Sequence, residues 1–165
     1  MTLTVAVAGA TGDASVPAVG GLTSRLAQTK SILWIGGHAD DELFVGGALG
    51  LAVFGSGAHC TIVNLNTNSG FAEANRTVAS FLGGADFVTL DGRCSCDSVD
   101  TAEAQAEVMT QAGVLDALVA LLRDRRPEIV LSFSPENRKC PHAASALLRV
   151  TPSGHLESPA LTTRF

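Results

Sequence analysis

Residues Ser31 to Gly50 read SILWIGGHADDELFVGGALG. Ser31–Ile35 is a short apolar run of strand length, and Gly36-Gly37 turns the chain. His38, Ala39, Asp40, Asp41 and Glu42 follow directly, and the chain becomes apolar again at once. Acids are costly to bury unless they are paired or bound to a metal. Three in a row behind a buried-looking strand therefore ask for a partner.

Working outward, strands and helices alternate. Leu43–Phe54 is a predicted helix with Asp41 or Glu42 near its start. His59–Asn66 is a second strand, and residues 72–84, AEANRTVASFLGG, form a helix closed by Gly83-Gly84. Asp86–Leu90 is a third strand. Thr101–Arg125 is predicted as one long helix, with Thr101 as its cap and Val108, Val114, Leu118 and Leu122 on its apolar side. Glu128–Phe133 is a fourth strand, and His142–Val150 a last helix. This alternation predicts a three-layer, Rossmann-like α/β domain with a mostly parallel sheet. We divide the chain into a leader over 1–30 (a flexible arm or an extra strand), the α/β domain over 31–150 and a tail over 151–165.

Composition narrows the function classes. The 165 residues are 46% hydrophobic and 16% charged, enough apolar surface for one folded core. A net charge of −5 argues against nucleic acid, whose phosphates need a basic face. No apolar run approaches the roughly 20 residues of a membrane span. The cysteines Cys60, Cys94, Cys96 and Cys140 are too sparse for a disulfide framework, so a reduced, cytoplasmic protein is expected. Gly9 and Gly12 hint at a dinucleotide-binding turn, but Ser15 holds the place of its third glycine.

In a parallel sheet, ligands sit beyond the carboxyl ends of the strands. That rule gathers His38–Glu42, Asn66–Ser69, Asp91–Arg93 and Ser134–His142 on one edge. Amide hydrolysis near neutral pH needs a strong nucleophile and help for the developing oxyanion, and a zinc ion with an open position supplies both. His38 and Asp41 can bind an ion from one tight turn. Asp40, between them, points elsewhere and is placed to face a water. A third ligand must come from another segment.

The motif GGHADDE followed by GGALG resembles the signature of the PIG-L/LmbE family of zinc-dependent N-deacetylases, usually A-H-P-D-D-E with a later G-G. RTVASFLGGADFVTLDG is similar to that family's arginine-led helix and following strand, and RPEIVLSFSPENRKCPHAA to its later R-P-D-x-V and H-P-D-H-x-A segments. The resemblance runs from Ile32 to Ala144. It implies that zinc is held by His38, Asp41 and His142, that Asp40 is the general base, and that Arg76 lies near the substrate. The implied reaction removes the acetyl group of an N-acetylglucosamine-type amino sugar or conjugate, a small-molecule partner.

The chain departs from that pattern in three places. Ala39 replaces a proline, KCPH stands where GHPDH is usual, and the chain stops at Phe165, short of the usual family length. Lys139, Cys140 or His155 is then a candidate for the missing groups of the second motif. Two other readings stay open: a non-catalytic descendant that keeps the fold, and a nucleotide-binding protein using the Gly9–Gly12 turn. Each residue also has a plainer role. Acids are favoured at any helix N-terminus, although this leaves His38 unexplained. His142 would be a surface histidine, and Arg76 a solvated helix residue. A short chain also leaves a sheet edge or helix face that a second copy would cover, making a homo-oligomer.

Overall fold

The computed structural model describes residues 3–7, 19–66, 72–92, 113–133, 149–150 and 156–157. Five strands build the main sheet: β1 (Leu3–Val7), β2 (Ser31–Gly36), β3 (His59–Asn66), β4 (Asp86–Gly92) and β5 (Ile129–Phe133). Their spatial order is β1-β5-β2-β3-β4. β5, β2, β3 and β4 run parallel, and β1 pairs antiparallel with β5, Leu3 opposite Phe133 and Val7 opposite Ile129. The fold is therefore α/β with a four-strand parallel sheet, compatible with a Rossmann-like arrangement. No helix among the described residues is long and apolar enough to cross a membrane.

The period-2 geometry of β2 splits its apolar residues between two cores. Ile32 and Trp34 face one side, with Ile62, Leu131 and Phe133. Leu33 and Ile35 face the other, with Val63, Leu65 and Val130. Helices α1 (Val19–Leu26), α2 (Gly46–Ser56) and α3 (Ala72–Phe81) lie on the first side, to which Leu26, Leu49, Ala52 and Val78 contribute. Helix α4 (Val114–Arg125) covers the second with Val114, Leu118 and Leu122. Burying a side chain of this size contributes about 2 kcal/mol, so the double-sided strand β2 anchors the domain. Cys60, in the first core, is a free thiol that burial pushes up to about 12, which keeps it unreactive.

Three predicted elements differ in detail. The predicted helix over Leu43–Phe54 is two pieces, a 3-10 turn over Asp41–Val45 and then α2, with Val45 outside helical geometry at the joint. The helix predicted over Thr101–Arg125 does not run through Gly113, whose φ of 76° is left-handed, so α4 starts at Val114. Residues 101–112 lie outside the described residues. The helix predicted over His142–Val150 does not include its last two residues. Arg149–Val150 is a strand, β6, paired antiparallel with β7 (Leu156–Glu157).

Sequence order and sheet order diverge at one place. β2, β3 and β4 are laid down successively in one direction, and the chain then crosses under the sheet through α4 to place β5 on the other side of β2. The direction of winding thus reverses between β2 and β5. Crevices at the carboxyl ends of two such strands are where open α/β sheets bind ligands.

Candidate functional site

The segment Gly37–Glu42 leaves β2 at that reversal, and the chain beyond Phe133 leaves β5 beside it. Gly36 makes the first bend workable. A Cβ there would lie 2.8 Å from Trp34 Nε1, 3.1 Å from Asp41 Cβ and 3.3 Å from Asn64 Oδ1. Only glycine lets the loop fold back over the end of its own strand.

Asp41 is the fixed point of the loop. It is 2% exposed. Its Oδ2 accepts from the Gly37 N–H at 2.8 Å and from the His38 N–H at 2.7 Å. The 3-10 winding of Asp41–Val45, with Leu43 N–H donating to Asp40 O at 3.1 Å, brings the carboxylate back to those two donors. A buried carboxylate that accepts two backbone N–H groups is held in one orientation. His38 Nδ1 lies 3.9 Å from the same oxygen. Imidazole nitrogen and carboxylate oxygen are donor types that zinc takes, and two donors on one tetrahedral ion lie roughly 3.3 Å apart. His38 and Asp41 are thus neighbouring groups of the donor types zinc takes, with the measured oxygen already accepting two backbone N–H groups.

Between them, Asp40 has a φ of 140°, a conformation that side-chain-bearing residues rarely adopt. Strain of this kind persists only where surrounding structure holds it, and it clusters at functional sites. One restraint is visible: the Asp40 N–H donates to Glu42 Oε2 at 3.2 Å. Glu42 is itself 1% exposed. Burial pushes its carboxyl above the ordinary carboxylate range; backbone N–H groups of Glu42 and Asp40 oppose this, and the charges of Asp40 and Asp41 add to it.

Glu42 is met from below by residues that the sequence pattern did not single out. With the Asn75 amide turned so that its nitrogen faces Glu42, it donates to Oε1 at 2.7 Å and to Oε2 at 3.3 Å. Its oxygen then accepts from Asn64 Nδ2 at 2.8 Å. Asn64 and Asn75 are both 1% exposed. One signal was legible for Asn64, a polar residue inside the apolar strand sequence HCTIVNLN, since buried amides require partners. Two buried side-chain atoms, Trp34 Nε1 and Asn64 Oδ1, have no hydrogen-bond partner among the described residues, and both crowd Gly36.

Of the residues predicted from sequence, His38, Asp40 and Asp41 share this loop. Arg76 is exposed on α3, where it lines a shallow groove with Glu73, Thr77, Ser80 and Phe81. Its neighbour Asn75, not Arg76, points at the loop. His142 lies outside the described residues, as do Lys139, Cys140 and His155. Among the described residues, no group of three or more His, Cys, Asp and Glu is placed to hold a metal. The Gly9–Gly12 turn is also outside them, but β1, which precedes it, runs antiparallel to β5. Its carboxyl end therefore points to the sheet edge opposite Gly37–Glu42.

No family model matches this chain, and no curated protein and no solved structure matches it either.

Proposed function

We propose that this protein is a zinc-dependent hydrolase that removes the acetyl group from an N-acetylglucosamine-type amino sugar or conjugate, the activity implied by its resemblance to the PIG-L/LmbE deacetylases. One observation carries the reading. A histidine and a buried, doubly hydrogen-bonded aspartate leave β2 at the point where the sheet reverses its winding, with a strained aspartate between them.

In this reading His38, Asp41 and His142 would hold a zinc ion. When bound, zinc supplies a water acidic enough to attack at neutral pH and a Lewis acid for the amide carbonyl. The Gly37 and His38 N–H groups keep Asp41 aimed. Asp40 accepts a proton from the attacking water, whose oxygen bonds the carbonyl carbon. The carbon–nitrogen bond then breaks, and Asp40 returns the proton to the leaving amine, giving acetate and a free amino sugar. The resemblance implies that Arg76 lies near the sugar or its aglycone, although its side chain does not point at the loop, and the protein would work in the cytoplasm.

Elemental analysis of the purified wild type, His38→Ala and His142→Ala tests the site. About one zinc per chain in the wild type, lost in both variants, is the expected result for three protein ligands that leave one position open to water. Zinc lost in His38→Ala alone moves the third ligand to Cys140 or His155. No zinc in the wild type after refolding with zinc present overturns the hydrolase reading. Zinc bound without release of acetate from N-acetylglucosamine conjugates leaves a non-catalytic descendant.

A further inference from the structure

We infer that Asn75, on α3, is a positioning residue for Asp40, acting through the Glu42 carboxylate to fix the backbone of the turn that carries the proposed base. The inference extends the hydrolase reading, but its geometry stands independently of it.

The contacts form one chain across three elements. Asn64 Nδ2, on β3, donates to Asn75 Oδ1 at 2.8 Å; Asn75 Nδ2 donates to Glu42 Oε1 at 2.7 Å; and Glu42 Oε2 accepts from the Asp40 N–H at 3.2 Å. The three side chains are each 1% exposed, so water does not compete for these bonds. The last bond in the chain ends on the residue with the strained backbone, Asp40 at φ 140°. Removing the donor at Asn75 frees the Glu42 carboxylate to move, and the amide it holds at Asp40 moves with it.

A packing role makes a different prediction. Asn75 would then be one polar contact among the α3 residues that cover β3 and β4, and its loss would loosen that whole layer. A positioning role confines the change to the turn. Asp41 has its own restraints, the Gly37 and His38 N–H groups, which do not pass through Glu42. Zinc content should therefore survive the loss of Asn75 while the placement of Asp40 does not.

The test compares wild type with Asn75→Ala and with Asn75→Leu, which keeps the side-chain shape but carries no donor for Glu42. Hydrogen exchange of the Asp40 amide is measured by NMR, with the Ile62 amide in β3 as internal reference. The expected result in both variants is Asp40 exchange faster by roughly tenfold with Ile62 unchanged, as local opening without global loosening requires. On an N-acetylglucosamine conjugate, kcat should fall by about a hundredfold with KM and zinc content held within about twofold, the size of effect a misplaced catalytic group produces. Unchanged Asp40 exchange in both variants, or equal acceleration at Asp40 and Ile62, overturns the inference. So does an unchanged kcat in an active wild type. A wild type that cleaves no such conjugate overturns the hydrolase reading, and Asp40 exchange alone then decides the role of Asn75.

Discussion

The two ends of β2 are held by different means. At its amino end, Glu128 ties the strand to β5: its carboxylate accepts from Thr29 Oγ1 at 2.9 Å and from the Lys30 N–H at 2.8 Å, and its own N–H meets Ser31 Oγ at 3.0 Å. Nearby, Asp86 joins Arg125 and the exposed His59. These groups are mostly wet. At its carboxyl end four polar side chains are dry: Asp41, Glu42, Asn64 and Asn75 are all buried, while His38 and Asp40 are half-buried. The two glutamates show the difference. The Lys30 N–H and the Thr29 hydroxyl lower the Glu128 pKa, whereas burial raises that of Glu42. The amino edge spends its charges on holding strands together, with water sharing the load. The carboxyl edge instead buries its acidic groups against backbone N–H groups and a buried amide, an arrangement that reactive sites often show.

Substitutions can break this contrast. The largest effect is expected at Asp41. Asp41→Ala leaves the Gly37 and His38 N–H groups without their acceptor and should cost about 3 kcal/mol, the worth of charge-assisted bonds in a buried setting, read by urea denaturation. Gly36→Ala comes next. Its methyl group would press on Trp34 Nε1, Asp41 and Asn64, and overpacking of this kind costs about 2 kcal/mol. Trp34 is the chain's sole tryptophan, so its fluorescence should shift in the same variant.

Asp40→Gly sharpens the comparison by separating stability from chemistry. Glycine relieves the backbone at φ 140°, so the variant should gain about 1 kcal/mol in urea denaturation, and the proposed hydrolysis, which uses Asp40 as its base, should be lost. A loss of stability instead would mean that the aspartate is there to hold the turn. The smallest effect lies at the other edge and depends on pH. The folded pKa of Glu128 is below its unfolded value, so its contribution is complete above the ordinary carboxylate range and is lost as pH falls through the lowered value. Glu128→Gln should therefore flatten the acid side of the curve of stability against pH and leave its slope near neutrality unchanged. For Glu42 the sign is reversed: its folded pKa is raised, and lowering the pH relieves the cost of its burial.

Much of the architecture was legible because β2 and its neighbours carry mostly apolar runs of strand length. SILWI, HCTIVNLN and EIVLSF correspond to β2, β3 and β5, and their parallel pairing follows from the helices between them. The position of β5 beside β2 was not legible, since no local pattern encodes which strand a crossover returns to. Gly113 was passed over because one glycine does not interrupt an otherwise helical pattern; its left-handed φ does. For the site, HADD drew attention through its chemistry, and His38, Asp40 and Asp41 do share one loop. Asn75 was missed beside the more conspicuous Arg76. Which of two adjacent helix residues faces inward depends on the helix's rotation against the sheet, and that is set by Val78, Ala79 and Leu82 packing inward, not by charge.

The antiparallel strand β1 has a consequence in time. It leaves the ribosome before β2, β3 and β4, yet among the described residues its ladder is with β5, which follows all three. Until β5 is made, a nascent chain carries β1 without a partner and β2 with one side open. Closing so long a loop is slow, and unpaired strand edges recruit other chains in the interval. Yield on rapid refolding should therefore fall as protein concentration rises, because β5 completes the sheet only by arriving between two strands that have been waiting for it.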